Sequence, residues 1–339
     1  MNRNDGADLD LDDLAQEAHE IRDRINRFRV SLGQFFVQKQ ALIDLMTICA
    51  AAQEPLLLVG PPGTAKSDLV IKFKDALGIS SDDYFEYMLT RFTEPSEILG
   101  PIDINRLRKG EYIRRDRGKL PSAQLVFLDE IFKSNSAILN TLLTIINERK
   151  FYQDGVAEPV ALKILFAAAN EIPEHAELEA LKDRFCLKAS SHSVQNSHFF
   201  ELIDAGLDGQ TWRDLKQKPW AQAHASLQDF LKAHRYLSLL MGKRYADKNG
   251  EMLRDRERFF SQSMLDEFRR ILKTLIREDG IFVSDRKIIK LYRLIRTRAW
   301  ILHGGAVERQ DLVLLSYLGE TLEEIDILEE KVPKLLGIH

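Results

Sequence analysis

The chain has 339 residues, 45% hydrophobic and 29% charged, the make-up of a folded globular protein of one or two domains. That composition excludes collagen, coiled-coil rods and bulk disorder. Forty-eight Lys and Arg against 52 Asp and Glu leave a formal net charge of -4. No global basic field therefore draws the chain onto nucleic acid, and any polyanion binding has to be local. Cys49 and Cys186 stand far apart with no CxxC spacing, which argues against a disulfide framework and against a zinc site, and for a cytoplasmic location. The polar, acidic N-terminus has no apolar core, and no uncharged apolar run approaches the ~20 residues that cross a bilayer, so neither a signal peptide nor a membrane span is expected.

In chain order, an acidic leader up to about Asp12 is expected to fray. Residues 14–30 carry helical charge spacing, and 36–52 form a second amphipathic stretch with Leu42, Ile43, Leu45, Met46 and Ile48 on one side. Short apolar runs then alternate with helical stretches: PLLLVG at 55–60, a helix over 67–77, YFEYML at 84–89, QLVFLD at 124–129, a helix over 136–148 and KILFAAAN at 163–170. Continuous apolar strands separated by helices predict a parallel sheet covered on both faces. From 197 to 330 the pattern is almost wholly helical, with loops expected at 204–220 and 242–252 and a polar linker, ASSHSVQNS, near the boundary. The expected division is a leader over 1–24, an αβα domain over 25–193, an all-helical domain over 197–330 and a tail over 331–339.

The most informative stretch is Gly60, Pro61, Pro62, Gly63, Thr64, Ala65, Lys66 and Ser67, between a predicted strand and a predicted helix. A phosphate cradle needs backbone N–H groups on a tight loop, a helix N-terminus behind them, a Lys for the β- and γ-phosphates and a hydroxyl for Mg²⁺. The generic pattern has Gly where Ala65 stands, and Ala is expected to sit in a helix-like first turn while restricting the loop slightly. The strand LVFLD ends in Asp129 and Glu130, acids suited to holding Mg²⁺ through water and to polarising an attacking water. Asn170 ends another apolar strand, where an amide can orient that water. Arg184, in KDRF, reads either as a surface salt-bridge partner or as a residue reaching a neighbour's γ-phosphate. Arg286, in SDRK, follows Ser284, a predicted helix N-cap.

With these residues in view, the chain resembles the MoxR family of AAA+ ATPases, near the branch that includes the regulatory ATPase variant A group. The resemblance covers roughly 25–320 and rests on GPPGTAKS, MLTRFTEPSEILGP at 88–101, LVFLDEIFKSNSAILNTLLTIINERKF at 125–151, AAANEIPE at 167–174 and VSDRK at 283–287. It implies an AAA+ αβα domain with an all-α lid. Lys66 and Ser67 would serve the Walker A site, Asp129 and Glu130 the Walker B pair, Asn170 sensor 1, Arg184 the arginine finger and Arg286 sensor 2 in cis or in trans. Arg149, in NER, is a rival trans-acting residue. The resemblance further implies ATP and Mg²⁺, a hexameric ring of identical subunits, and a protein client with a von Willebrand factor A domain to be remodelled. Residues 110–118 look like an insert hairpin and 150–162 like the hairpin before sensor 1, with a turn at Asp154 and Gly155.

Three readings compete: a nucleic-acid-directed motor, an ATP-gated scaffold with negligible turnover, and a monomeric P-loop kinase. The net charge speaks against the first, Glu130 against the second, and Arg184 with Arg286 against the third. Six basic residues crowd 281–300, but with only Tyr292 and Trp300 interleaved they read better as a phosphate-facing helix than as a nucleic-acid helix. His192 and His198, six apart in a polar linker with no carboxylate or Cys at metal spacing, read as solvent-facing and not as metal ligands, and Cys186 as a small core residue.

Overall fold

The structure, a computed structural model, describes residues 5–153, 155–246 and 252–338. Helix α1 (Asp5–Gly33) buries Ile21, Ile25, Phe28 and Leu32 along one stripe. The leader expected to fray is thus helical from Asp5 onward. Helix α2 (Gln40–Ala52) is buried on almost every side. It ends at Gln53, whose left-handed φ of 54° turns the chain into the sheet.

Strand β1 (Leu56–Val59), helix α3 (Lys66–Ala76), strand β2 (Tyr84–Met88), helices α4 (Pro95–Leu99) and α5 (Ile104–Leu107), and strand β3 (Leu125–Asp129) follow. Next come helix α6 (Ser136–Glu148), strands β4 (Lys150–Gln153), β5 (Val156–Pro159) and β6 (Ile164–Ala169), helix α7 (Glu179–Lys182) and strand β7 (Leu187–Ser190). Five of these strands form one parallel sheet in the order β2-β3-β6-β1-β7. Because side chains alternate along a strand, Leu56 and Leu58 of β1 face one core while Leu57 and Val59 face the other. Both faces are covered, as parallel strands require.

Strand β7 was not expected. Its last two residues, Ala189 and Ser190, fall in the stretch expected to be a polar linker, and Lys188 interrupts the apolar run before them. Yet Lys188 is completely buried, 2.8 Å from Glu320 of the lid. The insert at 110–118 is also not a hairpin: a single bridge joins Ile102 to Arg114, and the rest is loop. The second hairpin is formed by β4 and β5, with Gln153 opposite Val156; Asp154 lies outside the described residues.

The second half contains α8 (Phe199–Asp214), α9 (Leu227–Gly242), β8 (Arg244–Ala246), β9 (Met252–Arg254), α10 (Asp255–Phe259), α11 (Gln262–Glu278), α12 (Asp285–His303), a 3-10 stretch (Arg309–Tyr317) and α13 (Leu322–Leu336). Helix α8 occupies much of the loop expected at 204–220. Gly206 and Gly209 suggested a loop, but both fit within an exposed helix that buries none of its residues. The other expected loop carries the β8–β9 ribbon, and its residues 247–251 are outside the described set.

The lid is fused to the sheet through aromatic packing. Phe73 of α3 makes edge-on contacts with Phe28 of α1 at 5.0 Å and Phe166 of β6 at 5.3 Å, and Phe230 of α9 joins them at 5.7 Å from Phe28. Each such pair contributes about 0.5–1.5 kcal/mol beyond area burial. This cluster anchors the helix that begins at Lys66.

Candidate nucleotide-binding site

Sheet register builds the first half of the site. Val59 pairs with Ala169 on one side and Ser190 on the other, so Gly60 emerges between Asn170 and Ser191. Met88 pairs with Asp129, which brings the acid pair to the same edge. All the predicted residues at strand ends therefore converge at the carboxyl edge of the sheet, where ligands bind in open parallel α/β folds.

The loop from Gly60 to Ser67 is cut for close approach. A Cβ on Gly60 would lie 2.6 Å from the Ser191 carbonyl oxygen, while Gly63 adopts φ +81° with open space where its Cβ would project. Ala65 does not sit in a helix-like turn as expected. It precedes α3 at φ 67°, ψ 16°, the left-handed conformation that glycine adopts without strain. Beyond it, Pro61 and Pro62 restrict the loop, Thr64 Oγ1 donates to Pro61 O at 2.9 Å, and Ser67 follows Lys66 in the first turn of α3. The first N–H groups of that helix have no partner within it and lie at the loop's mouth, together with the positive end of the helix dipole. The cradle thus fits a polyphosphate.

Lys66 is only 7% exposed, and its Nζ donates to Pro61 O at 2.9 Å and to Asn170 Oδ1 at 3.3 Å. Burial pulls its pKa below the usual lysine value, with Asp129 and Glu130 opposing the shift. The Asn170 amide in turn donates to Glu130 Oε1, which Lys133 Nζ approaches to 3.0 Å. Asn170 thus bridges lysine and glutamate. Glu130 takes a left-handed φ of 52°, and Asp129 Oδ1 accepts its N–H at 2.9 Å.

Arg184 and Arg286 are not part of this group. Leu56 pairs with Leu187, so Arg184 lies by the opposite, amino end of β1, near Gln53 and Glu54. A cleft of about 600 Å³ there gathers Arg149, Arg184, Arg286, Lys290 and Arg293 against two carboxylates, Glu54 and Glu148. Glu54 is engaged by Lys290 at 2.8 Å and Glu148 by Lys150 at 2.7 Å. Arg149 Nη1 and Arg184 Nε are buried with no hydrogen-bond partner among the described residues. Burial, and next the like charge of Arg286, lower the pKa of Arg184; burial does the same to Arg149. Ser284 caps α12 as expected, accepting from Lys287 N at 3.2 Å, and its hydroxyl also lies 3.4 Å from Asp183 Oδ1, tying the SDRK turn to the KDRF turn.

Lys39 and Ser191 were missed by sequence reasoning. Buried Lys39 donates to Ser191 Oγ at 3.2 Å, and Ser191 Oγ donates to Thr64 O at 2.7 Å, so the two prop the loop from behind. No motif marks them. The basic run at 281–300 is not one solvated face: Arg296 is buried against Asp255, Arg298 pairs with Asp311, and Lys287 is buried on Glu320. Burial pushes the Cys186 thiol up to about 12, which suits a core residue and no nucleophile.

A parallel sheet in this strand order, with a phosphate-type loop after a central strand and a helical lid behind, defines an AAA+ ATPase fold. The chain matches the MoxR domain in the MoxR-vWA-beta-propeller ternary systems over residues 23–230, and an AAA lid domain over 262–332. It is 30% identical over 301 residues to an uncharacterised protein of Methanocaldococcus jannaschii, covering 88% of this chain and 70% of that one. A second uncharacterised protein of the same organism is 37% identical over 182 residues, 53% of this chain and 48% of its own. In fold, the crystal structure of a candidate ATPase from Cytophaga hutchinsonii superposes with a TM-score of 0.68, covering 96% of each chain at 17% identity. The chain belongs to the MoxR family of AAA+ ATPases.

Proposed function

We propose that this protein hydrolyses ATP as one subunit of a ring, with each active site completed by the neighbouring copy, and that turnover remodels a partner protein. The observation that carries this reading is the separation of the two half-sites. The loop and acids lie beyond one end of β1, and Arg149, Arg184 and Arg286 gather beyond the other; four strand residues at about 3.3 Å each put roughly 13 Å of sheet between them. A guanidinium on the far edge does not reach its own subunit's phosphates, which supports action in trans for both Arg184 and Arg286.

In this reading Lys66 exchanges its loop carbonyls for the β- and γ-phosphate oxygens. Ser67 directly, and Asp129 through water, would hold Mg²⁺, which neutralises charge on the phosphates when bound. Glu130 accepts a proton from the attacking water, and Asn170, already on Glu130 and Lys66, orients that water. The neighbour's Arg184 and Arg286 neutralise the charge that develops on the transferred phosphoryl group. Asn170 and Lys133 both contact Glu130 Oε1, so a movement of either would change the setting of the base, a natural point for coupling to partner binding.

A hexameric ring acting in the cytoplasm is the assembly we propose, with a protein carrying a von Willebrand factor A domain as client. The support for that client is the family's own designation after MoxR-vWA systems. The decisive experiment mixes two inactive variants, Lys66→Ala and Arg184→Ala. A shared site predicts that mixing restores part of the turnover, because some seams then hold an intact loop opposite an intact arginine. Absence of restoration, together with turnover per subunit that ignores protein concentration, would refute the shared site.

A further inference from the structure

Outside the two half-sites, one group among the described residues has the donor set of a transition-metal centre. His192, two residues beyond β7, meets Asp326 and Glu329 of α13. Its Nε2 lies 3.6 Å from Asp326 Oδ1 and 3.3 Å from Glu329 Oε2, and one donor atom from each of the three residues falls within 4.8 Å of the others. Tetrahedral zinc, with bonds of about 2.0–2.2 Å to nitrogen and oxygen, holds its donors about 3.3–3.5 Å apart, close to the two measured edges. Asp326 and Glu329 stand three apart and so share one face of α13.

Two further features single this group out from an ordinary surface ion pair. Ser190 Oγ lies 2.6 Å from the same His192 Nε2 and 3.1 and 3.2 Å from the Glu329 oxygens, which puts a fourth oxygen at the point where the three donors meet. Beside the group is a cavity of about 310 Å³ lined by His192, Glu329 and Ser316. Ser316 is 2% exposed, and its hydroxyl has no hydrogen-bond partner among the described residues. The cavity is large enough to hold metal-bound water.

We propose that His192, Asp326 and Glu329 bind one divalent transition-metal ion of the zinc type, with water from the adjoining cavity completing the shell. The ion clamps lid helix α13 onto the end of β7. Ser191, next to His192, donates to Thr64 O and backs Gly60, so the clamp stiffens the wall of the phosphate loop. The inference rests on geometry alone and does not depend on the ATPase reading.

The test uses tag-free, chelator-treated full-length protein without nucleotide, titrated with Zn²⁺ against a chromophoric chelator and separately with Co²⁺. One Zn²⁺ per chain is expected, together with the visible absorption bands of tetrahedral Co²⁺. His192 and Asp326 have side chains 57% and 53% exposed, so His192→Gln and Asp326→Asn should fold. Each should weaken Zn²⁺ binding by more than ~100-fold, beyond what loss of an outer-shell partner does. Zn²⁺ at about one hundred times its Kd should raise the wild-type Tm by roughly 5 °C and leave both variants unmoved. Equal Zn²⁺ uptake by wild type and both variants, no uptake by wild type, or a Tm shift given equally by Mg²⁺ would each overturn the proposal. So would a Tm lowered by His192→Gln with no Zn²⁺-dependent component, the mark of an ion pair alone.

Discussion

The two ends of strand β1 are built on opposite electrostatic plans. At the carboxyl end Lys66, Asn170, Glu130 and Lys133 form a continuous chain in which each side chain contacts the next. At the amino end five cations share a cleft whose two carboxylates are already engaged, and Arg149 Nη1 and Arg184 Nε are buried with no hydrogen-bond partner among the described residues, although Arg149 Nη2 donates to Gln53 O at 2.9 Å and Arg184 Nη1 lies 3.5 Å from Asp183 Oδ2. A buried, unpaired donor costs roughly 1–3 kcal/mol and more when charged, so the second arrangement is tolerated at the expense of stability. The contrast suggests that one end holds its ligand's counter-charges in reserve, while the other is complete only when an anion arrives from outside the chain.

Variants sharpen or break that contrast. The largest effect is expected for Lys66→Ala, which should abolish nucleotide binding, read with a fluorescent ATP analogue. Binding near the wild-type level would mean that the loop is not the phosphate site. Next, Arg184→Ala should cut turnover by as much as the ~10³–10⁵-fold known for arginine fingers while leaving the affinity of an isolated subunit unchanged. Full turnover in this variant would shift the trans-acting role to Arg149. Glu130→Gln should lower turnover by about 10²–10⁴-fold, the range of general-base catalysis, and preserve ATP binding, which would trap the assembled state for sedimentation.

Two smaller effects probe the framework around the halves. Burial pulls Lys188 down to about 8 from the usual 10.5, with Lys287 adding to the shift and Glu320 opposing it. The sign is the reverse of an ordinary paired lysine. Between those two pH values the unfolded chain keeps a proton that the folded chain has released, so stability rises with pH across that window. Denaturant titrations at a series of pH values should show the rise in wild type and lose it in Lys188→Met. The smallest change is Ala65→Gly, which relieves a left-handed alanine and should add about 1 kcal/mol of stability. A loss of stability there would show that Ala65 makes contacts outweighing its backbone strain.

Much of the fold was legible because its signals are local. Apolar runs of strand length around PLLLVG, LVFLD and ILFAAA, and the turn chemistry of GPPGTAKS, lie within a few residues of one another, and β1, β3, β6 and α3 formed where they were expected. Strand β7 was missed because Lys188 breaks the pattern, and its burial makes sense only with Glu320, 132 positions later, in place. Helix α8 was missed because it buries nothing and carries two glycines, which leaves periodicity without a face to report. Lys39, which props the phosphate loop, belongs to no motif.

The amino-acid sequence by itself determined the phosphate loop, the acid pair at the end of β3 and the αβα class, since each depends on residues close together in the chain. Only the tertiary structure decided that Arg184 and Arg286 face away from their own loop, that Ala65 is left-handed, and that His192 meets Asp326 and Glu329. The reason is the sheet: hydrogen-bonded register carries strand ends to one edge or the other and brings together side chains more than a hundred residues apart, a relation that no local spacing encodes.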